Sequence, residues 1–304
     1  MIRIHRFHGA GAGFLRYAVW RTPSLRPRGT LLLLQGRAEY LEKYTELMSE
    51  AAAAGWDVFS PEWRGQGLSA RCLPDPQKGY ISDFSRYVRD LRVFMRLVRE
   101  RRGPGPLWIL AHSMGAHIAL RYMGGASGSA AGLVVTSPML GVHTWPFPGP
   151  AARCIIEREI KRGNAAAWAP GQGPWRPRPF GGNSLTRHRG RWMREQRFLR
   201  RHPAAALGGA TFGWLSAAFR SMDFLSRPEF APALDIPVLM FSAGRDRVVR
   251  NGPQRRLARR LPACRRILFP GARHELLMET DAVRRVIWRH FMRFSEEFSG
   301  DPGC

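Results

Sequence analysis

Apolar and polar positions follow two rhythms along the first half of the chain. Short apolar runs of strand length, Phe14 to Val19, Thr30 to Leu34, Trp56 to Ser60, Leu107 to Ala111 and Leu133 to Ser137, are separated by stretches with helical spacing. Those stretches cover about 40–54 and 83–101, and the second places Phe84, Val88, Leu91, Met95 and Val98 on one face. Strand and helix in alternation predict βαβ units and a mostly parallel sheet. The pattern resumes late in the chain with strands over Val238 to Ala243 and Arg266 to Phe269. A helix over about 279–298 follows, carrying Val283, Ile287, Phe291, Phe294 and Phe298 on one side. These apolar stripes are read as core faces.

Between the two strand-rich parts the rhythm is lost. "WAPGQGPWRPRPFGGN" is rich in proline and glycine and is followed by the basic stretch "TRHRGRWMREQRFLRRH". Five of the ten tryptophans (Trp145, Trp168, Trp175, Trp192 and Trp214) fall between 141 and 232, so large apolar side chains are mixed there with arginines. A lid over an apolar pocket has this composition. The chain therefore divides into a first core part over 1–140, a cap over 141–232 and a second core part over 233–304.

Composition sharpens this picture in three places. A chain of 304 residues with 44% apolar and 11% aromatic content has the size and hydrophobicity of a folded protein with a substantial core. Its 48 basic against 23 acidic residues give a net charge of +25, almost all from arginine, since only Lys43, Lys78 and Lys161 are lysines. Either arginine has spread over the whole surface as compositional drift, or the surface attracts anions such as lipid headgroups or nucleic acid. The four cysteines, Cys72, Cys154, Cys264 and Cys304, form no CxxC pair and stand at no metal spacing with histidines, which argues against a disulfide framework or a metal site. The N-terminal stretch lacks an apolar signal core, and Leu31 to Leu34 is too short to span a bilayer, so a cytoplasmic location is expected, with peripheral contact with the inner membrane surface still allowed.

Candidate chemistry centres on "LWILAHSMGAHIAL", residues 107–120. Ser113 lies in A-x-S-x-G, a relaxed nucleophile elbow with Ala111 at the first small position and Gly115 at the second. Small residues two before and two after the serine let a strand turn sharply into a helix and leave the hydroxyl at the corner. A serine hydroxyl needs a base to take its proton, and that base needs a carboxylate to hold its tautomer. Of the downstream histidines, His274 in "LFPGARHELLME" stands in a loop directly after a candidate strand. Asp246 in "VLMFSAGRDRVV" stands just past the preceding strand, whereas Asp223 and Asp235 lie in a linker and Asp281 opens the last helix. Serine, acid and histidine thus occur in the order such an elbow requires.

Five blocks, "QGRAEYLEKY", "PEWRGQGLS", "AHSMGAHIAL", "SAGRDRVV" and "GARHELLME", resemble in the same order those of the monoglyceride lipase and lysophospholipase L2-like branch of the α/β-hydrolases, and the similarity extends from about 14 to 290. "NSLTRHRGRWMREQRFLRRHPAAALGGATFGWLSAAFRS" is also similar to the cap of the lysophospholipase L2-like group. The resemblance implies an α/β-hydrolase fold: a mostly parallel eight-stranded sheet flanked by helices, with a helical cap after the sixth strand. It implies Ser113 as nucleophile, Asp246 as acid, His274 as base, and the backbone N–H groups of Arg37 and Met114 as oxyanion donors. Arg64, Gly65 and Gly67 are read as structural, as are His112 and His117. Gln35 stands where monoglyceride lipases usually carry histidine, which favours the lysophospholipase side.

The expected activity is hydrolysis of carboxylic esters of single-chain lipids through an acyl-enzyme, with no cofactor and no metal. An aminopeptidase or general carboxylesterase on the same fold is the alternative within enzymes. A non-catalytic lipid- or nucleic-acid-binding protein would lack a triad member, and all three are present. The expected partner is a small lipid ester, nucleic acid being disfavoured, and the Arg37 side chain is a candidate for meeting an anionic headgroup.

Overall fold

The computed structural model describes residues 2–126 and 128–298; Cys304 lies outside them. Eight strands form one sheet: β1 (Arg3–His8), β2 (Phe14–Trp20), β3 (Gly29–Leu34), β4 (Trp56–Pro61), β5 (Leu107–His112), β6 (Gly132–Thr136), β7 (Val238–Ala243) and β8 (Cys264–Phe269). Their order is β1-β2-β4-β3-β5-β6-β7-β8. The β1–β2 and β2–β4 pairs are antiparallel and the rest parallel. The expected mostly parallel sheet is therefore observed, with β1 as a strand that apolar runs do not reveal: in "RIHRFH" only Phe7 is buried.

Both faces of the sheet are covered, which explains why its central strands are apolar throughout rather than alternating. Along β3, Leu32 and Leu34 pack into one core, and Leu31 and Leu33 into another. The first core is closed by α2 (Ser85–Arg101) and α3 (Ser113–Met123), the second by α1 (Thr45–Ala53) and α8 (Asp281–Phe298). The stripe expected on α2 is rotated slightly, with Tyr87 and Asp90 buried and Val88 only partly so. On α8, Phe298 departs from its expected core position. It is 40% exposed and lies 4.8 Å from the Phe294 ring, in the last turn of the helix.

Between β6 and β7 lie α4 (Gly149–Lys161), α5 (Arg189–Arg201) and α6 (Phe212–Ser226), with α7 (Asn251–Ala258) after β7. Helix α6 buries Phe212, Trp214, Ala217, Ala218, Phe219, Met222 and Leu225 into the first core. Helix α5 meets the rest of the chain through charge and apolar contact: Arg191 and Arg194 pair with Glu46, Glu195 pairs with Lys43, and Phe198 and Leu199 pack in a cluster with Tyr40. Among the described residues, no helix is long and apolar enough to cross a membrane.

Candidate active site

Strand β5 delivers Ser113 at its C-terminal end. The serine has φ of 49°, a left-handed conformation that costs energy in a non-glycine residue and makes the turn from strand to helix sharp. The corner is crowded on its far side: a Cβ on Gly115 would lie 2.3 Å from the Gln35 carbonyl oxygen and 2.7 Å from that of Leu34. Gly115 is thus required by close approach of the helix to β3. Ala111 is fully buried in the ladder between Leu34 and Val135, where a methyl fits.

The loops after β7 and β8 bring the other two groups to this corner. His274 Nε2 lies 3.0 Å from Ser113 Oγ, and His274 Nδ1 lies 2.7 Å from Asp246 Oδ2. The network assigns the tautomer: Nδ1–H donates to the carboxylate and Nε2 accepts from the hydroxyl. Asp246 Oδ1 is held by the N–H groups of Val248 and Val249 at 2.8 and 2.9 Å. Burial pushes the Asp246 carboxyl up, but the facing imidazole and these two N–H donors outweigh it and hold the group below the usual carboxylate range. The other carboxylates considered lie elsewhere: Asp223 pairs with Arg153, Asp281 with Arg191, and Asp235 is exposed.

The loop after β3 approaches from the side. The Gly36 N–H donates to Glu39 Oε2 and the Ala38 N–H to Gln66 Oε1, so both neighbours of Arg37 are committed. Arg37's own N–H has no acceptor among the described residues. Met114 stands in the first turn of α3, where N–H groups lack intrahelical partners. Gln66 joins the two sides, since its Nε2 lies 3.6 Å from Met114 Sδ. The Arg37 side chain runs outward to the segment before α6: its guanidinium donates to the Gly208 carbonyl at 2.9 Å and sits 5.0 Å from the centre of the Trp214 ring. Burial lowers its pKa to about 10, and no carboxylate pairs with it among the described residues.

Several groups that shape the site were not singled out from sequence. Ser137, with φ of 43° at the end of β6, donates from Oγ to the His274 carbonyl at 2.8 Å and so fixes the His274 backbone. Glu39 ties the Arg37 loop to Lys43, whose ammonium also meets Glu195 of α5 and Glu275 beside the base. Ser137 and the Glu195 and Glu275 contacts carry no spacing signal, because those partners are far apart in the chain, whereas Glu39 and Lys43 stand at i,i+4. The structural readings hold for His112 and His117: burial lowers their pKa values to about 4 and about 3, keeping both neutral. His117 bridges the Met139 carbonyl and Ser221 Oγ, while His112 faces Thr136 and packs 4.9 Å from the His274 ring. Arg64 is likewise structural, forming a two-pronged pair with Asp90 at 2.9 Å. Ser113 and His274 are only 6% and 4% exposed, so the site is covered.

Comparison with known proteins agrees with this fold. A family model described as "Serine aminopeptidase, S33" matches residues 25–281. Lysophospholipase L2 of Escherichia coli is 32% identical over 286 residues, covering 90% of this chain and 82% of that protein. A probable lysophospholipase L2 of Haemophilus influenzae is 31% identical over 275 residues, covering 90% and 85%. Among solved structures, a soluble variant of monoglyceride lipase from Saccharomyces cerevisiae, in complex with a substrate analogue, superposes with a TM-score of 0.75 at 19% identity over 98% of this chain and 97% of that one.

Proposed function

Because the chain belongs to the serine aminopeptidase S33 family and has the α/β-hydrolase fold, we propose that it is a serine hydrolase cleaving carboxylic esters of single-chain lipids, lysophospholipids foremost and monoacylglycerols next. The observation that carries the reading is the continuous relay from Ser113 Oγ through His274 to Asp246, at 3.0 and 2.7 Å. In this mechanism His274 Nε2 takes the Ser113 proton as Oγ attacks the ester carbonyl. The negative charge on the tetrahedral oxygen is received by the N–H groups of Arg37 and Met114, each worth about 3 kcal/mol when aligned. Collapse expels the alcohol, which takes the proton from His274. A water deprotonated by the same imidazole then cleaves the acyl-enzyme and frees the acid. Asp246 stays ionised throughout and stabilises the imidazolium.

The segment 141–232 serves as the cap, and its apolar residues would hold the acyl chain. A lysophospholipid reading is supported by Arg37, a cation on the oxyanion loop with no carboxylate of its own, suited to a phosphate joined to the ester's alcohol side. We place the protein in the cytoplasm, working at the inner membrane surface.

The family description favours a second reading, aminopeptidase. An amine terminus would need a free carboxylate near Ser113, and the nearby Glu39 and Glu275 are both engaged by Lys43. One experiment separates the readings: labelling with a fluorophosphonate probe, followed by turnover of lysophospholipids, monoacylglycerols, short p-nitrophenyl esters and an aminoacyl amide. Labelling lost in Ser113→Ala and turnover of the lipid esters are expected. Equal labelling of the variant would end the hydrolase reading, and cleavage of the amide alone would end the lipid one.

A further inference from the structure

The chain leaving β6 crosses the site before it departs from the surface. The Met139 N–H donates to the Ser113 carbonyl at 3.1 Å, and Val142 forms an antiparallel bridge with Val249, three residues past Asp246. The Arg250 N–H to Gly141 at 2.8 Å and the His143 N–H to Val248 at 3.1 Å complete this junction. Beyond it the chain projects as Thr144-Trp145-Pro146-Phe147-Pro148, closed on itself by Thr144 Oγ1 and the Phe147 N–H at 2.7 and 2.8 Å. Trp145 is 90% exposed and Phe147 39%, in a chain that buries Trp56 and Trp108 completely. Two large aromatic side chains held in water by a proline-stiffened turn carry apolar surface that the fold leaves uncovered.

The other side of the same junction is cationic. Along 245–250 the inward residues are Asp246, which meets His274, and Val249, while Arg245, Arg247 and Arg250 are exposed. None of these three arginines forms an ion pair among the described residues. An aromatic tip and three unpaired guanidinium groups thus share one rim, joined by main-chain bonds to the loops that hold the proposed nucleophile and acid.

We propose that this rim docks on an anionic bilayer, with Trp145 and Phe147 entering the boundary between headgroups and acyl chains and the three arginines meeting lipid phosphates. Amphipathic aromatic rings favour that boundary, and basic residues beside it are attracted by the surface potential of anionic lipid. A single-stranded nucleic acid would call for a basic groove lined with stacking platforms, and this tip projects instead of lining one. The net charge of +25 matches an anionic surface. The inference rests on the proposed lipid substrate for its purpose. Docking would set the cap's first turn and the site's mouth against the membrane that holds the ester.

The test is co-sedimentation of the full chain with extruded vesicles, either phosphatidylcholine alone or an equal mixture with phosphatidylglycerol. Wild type is expected to bind the anionic vesicles and to be released by salt. The double variant Trp145→Ala/Phe147→Ala is expected to lose binding by at least about tenfold, the order set by withdrawing two aromatic side chains. Arg247→Gln/Arg250→Gln is expected to lose about fivefold per arginine and most of the salt dependence. A cooperative urea-unfolding transition matching that of wild type reports that the aromatic variant is folded. Unchanged vesicle binding by that variant overturns the proposal, as does equal binding to neutral and anionic vesicles. A wild-type dimer in light scattering that the aromatic variant disperses would assign the tip to a second copy of the chain instead. Vesicle binding without ester hydrolysis by wild type would count against the proposed chemistry and leave the docking surface standing.

Discussion

Replacing Lys43 with methionine tests the charge cluster that joins α5 to the site. The Lys43 ammonium lies 2.9 Å from Glu39, 3.2 Å from Glu195 and 2.8 Å from Glu275, with its side chain 3% exposed. At an effective dielectric near 20, each contact represents about 5 kcal/mol of gross attraction, most of it offset by desolvation and by repulsion among three carboxylates. Removing the cation alone leaves those carboxylates buried without counter-charge, a loss of about 3–5 kcal/mol. The loss depends on pH. Burial pushes Glu275 up, with Lys43 pulling it down and Glu195 and Glu39 pushing further up, so that its pKa stands at about 7 against an ordinary 4.5. A carboxyl raised in the folded state adds stability that is complete below pH 4.5 and disappears as pH rises through 7, about 3 kcal/mol in all. Glu39 has the opposite sign: burial raises it, Lys43 and His112 outweigh burial, and its pKa falls to about 2. Its contribution is present above the ordinary 4.5 and is lost only as pH falls through 2. Without Lys43 the Glu39 and Glu275 carboxyls rise, and protons replace the missing cation in acid. Urea unfolding of wild type and Lys43→Met at pH 5 and pH 8, followed by tryptophan fluorescence, should therefore show the larger loss at pH 8. A loss below about 1 kcal/mol at pH 8, or one equal at both pH values, would refute the reasoning.

Three further outcomes follow from the site. Asp246→Asn should keep the fold and lower kcat by about 10⁴ on a soluble ester, since the amide no longer fixes the Nδ1–H tautomer; a change within tenfold would remove Asp246 from the relay. Gly115→Ala drives a Cβ against the Gln35 and Leu34 carbonyls at 2.3 and 2.7 Å, backbone atoms that cannot swing aside. It should cost about 1–3 kcal/mol in urea unfolding and lower kcat by displacing the Arg37 loop from Met114, whereas Gly149→Ala, with nothing within 4 Å, should be silent in both. Arg37→Gln keeps the backbone donor and removes the guanidinium, so the ratio of kcat/KM for a lysophospholipid over the monoacylglycerol of equal chain length should fall about tenfold, the order of a lost charge-assisted hydrogen bond. An unchanged ratio would deny the side chain any part in headgroup selection.

What sequence pattern could reach is set by where the chemistry sits. Ser113, Asp246 and His274 each follow a parallel strand; β5 and β7, buried on both faces, announce themselves as apolar runs, while edge strand β8 shows only a short one, Ile267 to Phe269. Locating the strand ends therefore located the three side chains that the structure brings together, and order along the chain sorted the acids and histidines. The family resemblance added the Arg37 and Met114 donors, which are backbone groups and have no residue-type signal of their own. Pattern failed where a residue's state depends on a distant partner. Edge strand β1 pairs through its backbone while its side chains, polar or not, mostly stay in water. Lys43 reads as one more surface lysine until Glu195 and Glu275 arrive from 152 and 232 residues away. Hydropathy places Phe298 on a core face and Trp145 among the cap's apolar residues, and both are exposed: one in the last turn of its helix, the other on a closed turn after β6. An apolar side chain states only that it would be better buried. The fold decides whether the protein itself does the burying, and the case in which it does not, beside unpaired arginines at the rim of the site, is where the burying falls to something else.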